Sequence, residues 1–88
     1  MPAQDPAPDR LSAPAQLRHG DRFSSGAATL DRERLRFRGY FQYELALADI
    51  RSVQVLRDIL KLETPGGYVT LKLGKVARAW AAFIQANR

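Results

Sequence analysis

Residues 74–88, GKVARAWAAFIQANR, are the one stretch of the chain that reads as a helix, and they hold its one Trp. At 100° per residue, Val76, Ala77, Trp80, Phe83, Ile84 and Asn87 share one side. Lys75, Arg78, Ala79, Ala82, Gln85 and Ala86 share the other. Alanine is the commonest residue here and has the best intrinsic helix propensity. Gly74 suits the N-cap, and Asn87 suits the left-handed position at the far end. Lys75 stands in the first turn with no acid beside it, which opposes the helix dipole. So short a helix is marginal alone, and packing has to hold it. Trp80, Phe83 and Ile84 are therefore expected to plug the mouth of a curled sheet. A helix lying on a membrane or a partner is the competing use of such a stripe.

Working back from the helix, almost everything between Arg22 and Leu73 alternates with period two. In Arg34–Arg38 (RLRFR), Leu35 and Phe37 face one way and three arginines the other. Tyr43–Leu47 turns Tyr43, Leu45 and Leu47 inward. Ile50–Leu56, Ile59–Thr64 and Tyr68–Leu73 repeat the pattern with Val53 and Val55, Leu60 and Leu62, then Val69, Leu71 and Leu73. Pro65-Gly66-Gly67 is the clearest turn, because Pro fixes φ and Gly supplies positive φ. Arg22–Leu30 contains one strand, or two interrupted at Ser24-Ser25-Gly26, and Leu17–Asp21 reads as an opening turn. The total is six or seven short strands. No connection before residue 74 is long enough for a crossover, so the strands pair sequentially and antiparallel. The expected fold is mainly β: a strongly bent, partly open antiparallel barrel capped by the C-terminal helix.

Length and composition set the outer limits. The chain has 88 residues, enough for one domain. Residues 1–16 hold Pro2, Pro6, Pro8 and Pro14 with no apolar period, so they are expected to form a disordered tail ahead of a domain at 17–88. Cysteine is absent, which excludes disulfides, thiolate catalysis and Cys-based zinc sites. His19 is the single histidine and cannot build a cluster. No apolar run approaches the ~20 residues of a membrane span, and the first residues lack a signal peptide's basic start and apolar core. A cytoplasmic protein, peripheral to the membrane if it meets one, is the default. The formal net charge of +5 suits an anionic membrane, a nucleic acid or an acidic protein, without choosing among them.

At this point the chain resembles the pleckstrin-homology-like superfold, in its compact bacterial and GRAM-type versions. LRHGDRFSSGAATLDRERLRFRG looks like the family's opening, "L-x-x-G-E … G … L-T-x-x-R-L-x-F", with Asp21 in place of the usual Glu. YELALADIRSVQV looks like its "hydrophobic-x-L-x-D-I-x-S-V" strand pair, and ARAWAAFIQANR like its terminal helix, with Trp80 where the barrel-plugging Trp stands. The three pieces span residues 17–88 in the right order. The resemblance implies a seven-stranded bent sheet with a C-terminal helix, acting as a binding or assembly module without catalysis. Only some such domains bind lipid headgroups.

The residues themselves offer no catalytic constellation. Gly66-Gly67 has no Lys-Ser/Thr after it to make a phosphate loop, and His19 beside Asp21 lacks a nucleophile. No cofactor or metal is expected. The feature that stands out is an arginine ladder, Arg32, Arg34, Arg36 and Arg38, which period two places on one strand face. Guanidinium forks match phosphate and carboxylate geometry. Where family members bind phosphoinositides, they use a basic residue on the first strand and an Arg-x-Arg on the second; Arg22 and then Arg34-Leu35-Arg36 look like that set. Two readings stand: an anion- or partner-binding face, or a solvated face with Glu44 or Glu63 as cross-strand partners. Tyr40 and Phe41 follow the ladder and are the candidates for an exposed apolar contact, with a partner or in a homo-oligomer formed by strand addition. Arginines interleaved with Tyr40 and Phe41 also suit a small nucleic-acid-binding barrel, which is the alternative function.

Overall fold

The computed structural model describes residues 10–88. Seven antiparallel strands are followed by one helix: β1 (Arg10–His19), β2 (Arg22–Asp31), β3 (Arg34–Arg38), β4 (Gln42–Ala46), β5 (Ser52–Leu56), β6 (Ile59–Thr64), β7 (Gly67–Lys72) and α1 (Ala77–Asn87). The strands form one sheet in the order β4-β3-β2-β1-β7-β6-β5. This is a meander whose first and last strands have also paired, so β1 is the hinge. Gln16–His19 of β1 pair with β7 on one side and β2 on the other, whereas Arg10–Ala15 pair with β2 alone. The sheet does not close: β4 and β5 are its two edges, joined through a 3-10 turn at Leu47–Asp49.

The alternation in the sequence becomes the core. Leu17, Leu30, Leu35, Leu60, Leu62, Val69 and Leu71 are fully buried on the concave face, and Trp80 and Ile84 meet them from the helix. Trp80 is 1% exposed, so the plug expected from the sequence is in place.

Part of the segment expected as a disordered tail is a strand. Residues 1–9 lie outside the described residues, but residues 10–16 belong to β1. Leu11, Ala13, Ala15 and Leu17 face the core from alternate positions, and small alanines dilute that period in the sequence. Pro14 is tolerated because β7 does not extend that far, so no ladder bond is lost on that edge. The opening turn shrinks to Gly20-Asp21, with Gly20 at φ +63. β2 is one continuous strand.

The helix also starts later than expected. Gly74 has φ +72 and begins a 3-10 turn, Gly74–Val76, which changes the phase before α1. The buried arc is therefore Ala77, Trp80, Ala81 and Ile84; Phe83 lies at its edge, and Val76 is exposed. Asn87 stays helical and donates its Nδ2 to the Phe83 carbonyl. Arg88 Nη1 donates to the Ile50 carbonyl at 2.8 Å, tying the helix end to the approach of β5.

One close approach fixes the β3–β4 turn. A Cβ on Gly26 would fall on the backbone of Arg38 and Gly39, and one on Gly39 would meet Ser24 and Ser25. The buried Ser24 hydroxyl fills what remains, accepting from Tyr40 N at 2.8 Å.

Two substitutions test this packing. Trp80→Ala removes the plug at a cost of about 3–5 kcal/mol, a large part of the stability of so small a domain. Its cooperative thermal transition, followed by far-ultraviolet circular dichroism, should be lost; a native-like melt would contradict the plug. Gly26→Ala forces backbone apart and should cost about 1–3 kcal/mol in urea unfolding, although the residue added is the better strand former.

Candidate functional site

The ladder is built by the β2–β3 turn. Asp31 Oδ1 accepts from Glu33 N at 2.8 Å and from Arg34 N at 2.9 Å, closing the turn so that β3 starts with Arg34 facing outward. The Arg34 N–H, then that of Glu33, holds the Asp31 carboxyl below its usual 3.8. Cross-strand register then decides the fate of each arginine. Arg36 stands opposite Glu44, Arg34 opposite Ala46 and Arg38 opposite Gln42. Glu44 takes both of the first two, at 3.0 Å from Arg36 Nε and 3.3 Å from Arg34 Nη1. These are exposed pairs, each worth at most about 1 kcal/mol. Glu63 accepts from the Ser52 hydroxyl at 3.1 Å instead, so among the described residues Glu44 is the acid that serves Arg34 and Arg36.

The five candidate arginines do not gather. Arg32 lies in the turn and lines an apolar groove with Leu11 and, from α1, Ala79, Ala82, Phe83 and Ala86. Arg34 and Arg36 are engaged with Glu44. Arg38 has no carboxylate within 4 Å among the described residues and borders a cleft that it shares with Arg10, Thr29, Asp31 and Arg36. Arg22 opens β2 at the opposite end from Asp31, and its guanidinium lies 5.2 Å above the Phe41 ring.

The two aromatic candidates also part. Phe41 packs inward, 5.8 Å from the Phe37 ring. Tyr40 is 95% exposed. Tyr40 N donates to the Ser24 hydroxyl, and the residue before Ser24, Phe23, is itself 51% exposed and lies beneath the Arg18 guanidinium at 5.3 Å. Phe23 and Arg18 were not singled out in the sequence. They face each other in the β1–β2 register, and the signal was there in RFSSG: Phe23 is out of phase with the inward-facing Ala28 and Leu30.

One rim of the sheet thus carries the exposed rings of Tyr40, Phe23 and Tyr68 at or near its turns, with Arg18, Arg22 and Arg38 at or next to the ends of β1, β2 and β3. The turns Gly20-Asp21, residues 39–41 and Pro65-Gly66 meet at this end. His19 borders it, with Nε2 3.4 Å from the Gly66 carbonyl oxygen and its ring 5.3 Å from that of Tyr43. Burial raises the Tyr43 hydroxyl above its usual 10.0, partly offset by a hydrogen bond with Thr64. The arrangement presents cation and aromatic surface; among the described residues no three His, Asp or Glu side chains gather to hold a metal, and no helix is long and apolar enough to cross a membrane.

Compared by sequence, the chain matches no family model and no curated protein. Compared by structure, it is similar to the N-terminal PH domain of human ARAP2, with a TM-score of 0.78 at 12% identity over 98% of this chain and 84% of that one. It is also similar to the C-terminal domain of an unknown protein from Leishmania infantum, with a TM-score of 0.65 at 12% identity over 84% of this chain and 78% of that one. With its strand order and its single C-terminal helix, the chain has the pleckstrin-homology-like fold.

Proposed function

We propose that this domain is a non-catalytic binding module that docks on an anionic membrane surface by the rim carrying Tyr40 and Phe23. The observation that carries the reading is Tyr40, almost wholly exposed at a turn that close backbone packing holds in place. A rigidly placed aromatic ring suits the boundary between headgroups and acyl chains. Arg18, Arg22 and Arg38 stand at or next to the strand ends of the same rim, where each cation near an anionic surface adds about 1 kcal/mol. The fold is in keeping with such a role, and PH-like modules of this kind do not need a catalytic constellation. A nucleic-acid platform is less well served, because Phe41 turns its ring into the core and leaves the arginines without that stacking surface.

Sedimentation with phosphatidylserine-containing and neutral vesicles is the test. The protein should pellet with the anionic vesicles at low salt and less at moderate salt. Arg38→Glu, a change of two charge units, should lower partitioning about thirtyfold, and Tyr40→Ser should lower it at both salts. Equal recovery with neutral vesicles, or no effect of either change, would count against the rim.

Glu44→Gln gives a second check. It releases Arg34 and Arg36, so anionic binding should rise, while stability in urea should change by less than about 1 kcal/mol. Unchanged binding would mean that the outer ladder takes no part.

A further inference from the structure

The far end of β6 from this rim carries a separate cluster of cations. Arg57, Lys75 and Arg78 line one open cleft of about 630 Å³ with Asp58 and Gly74. Arg57 comes from the β5–β6 hairpin, and Lys75 and Arg78 come from the 3-10 turn and the start of α1. The Asp58 carbonyl accepts from both Leu73 N at 2.9 Å and Gly74 N at 3.2 Å, which fixes one wall of the cleft to the other.

Three local preferences are broken here together. Arg57 sits at φ 60, the one non-glycine residue with positive φ among the described residues. A two-residue hairpin of this hand favours Asn or Gly there, and an arginine side chain is strained. Lys75 and Arg78 stand in the first turns of a helical segment, the end at which cations are disfavoured. Among the described residues none of the three cations has a carboxylate within 4 Å, although Asp58 borders the cleft. A positive φ at Arg57 and three cations thus meet on one concavity, an outlier of the kind from which a functional hypothesis is drawn.

We infer that this cleft binds a phosphomonoester. Two guanidinium forks and an ammonium give more donors and charge than a single carboxylate can satisfy, and they match a dianionic, three-oxygen group. The site does not depend on the membrane reading, since it shares no residue with the rim. The same phosphate chemistry is found on a soluble ester and on phosphatidate.

Amide chemical shifts of the whole chain, followed at constant ionic strength, separate these sources. One arm uses inorganic phosphate and glycerol phosphate; another uses phosphatidate vesicles, with phosphatidylserine vesicles and acetate as controls. Gly74, Lys75 and Arg78 amides should respond saturably to the monoester from at least one source and not to acetate. Arg57→Gly should weaken the response at least tenfold and at the same time raise the melting temperature, because it relieves the positive φ. Arg78→Gln should weaken it with the fold intact, and Arg36→Gln should not change it. A response to neither monoester source, an equal response to acetate, or full binding by Arg57→Gly would overturn the site. Loss of vesicle binding by the rim variants leaves this result untouched, so failures of the two proposals are distinguishable.

Discussion

The contact between Trp80 and the concave face of the sheet is the constraint on which the rest depends. Seven strands that stop short of closure leave β4 and β5 as open edges, and the apolar concave face would meet water at that gap. α1 supplies the cover with Ala77, Trp80, Ala81 and Ile84, and Arg88 anchors its end to Ile50. The helix is too short to persist alone, and the sheet exposes its core without it. Each therefore stabilises the other, and in a domain of this size neither has a large reserve.

The bend of β1 converts that packing into a surface. β1 pairs with β2 along its whole length and with β7 along Gln16–His19, so β2, β3 and β4 lie to one side of it and β5, β6 and β7 to the other, bringing three turns to one rim. Gly26 and Gly39 then let backbones approach so closely that Phe41 is directed inward and Tyr40 outward. The rim's chemistry follows from two residues that have no side chain at all. Charge is distributed by the same register: Glu44 stands beside two arginines and not beside Arg38.

Much of this was legible in the chain. Clean alternation from Leu35 to Leu73 and the Trp80 stripe led to the strands, the helix and the fold, because burial on one face imposes those periods whatever the details. The first half of β1 is hidden because Pro14 and two alanines, Ala13 and Ala15, resemble a linker in composition, and only pairing with β2 distinguishes them. The helix phase was missed because a positive φ at Gly74 and a 3-10 turn are invisible to a 100° period. The arginine ladder is legible as a strand face for Arg34, Arg36 and Arg38, while Arg32 falls in the turn before β3. Which of its members has an acidic neighbour depends on register with β4, a property of two strands together that neither strand carries alone. Nothing in the neighbours of Arg57 announces its left-handed backbone.

Native-state hydrogen exchange of the described chain tests the mutual dependence of helix and sheet most directly. If Trp80 joins them into one cooperative unit, the amides of the second half of α1 and those of β1, β6 and β7 should exchange through the same global opening, with equal protection free energies and equal denaturant dependence. Helix amides that exchange far faster, with no denaturant dependence, while the sheet stays protected would show that the sheet stands without its plug, and the account would be wrong at its centre.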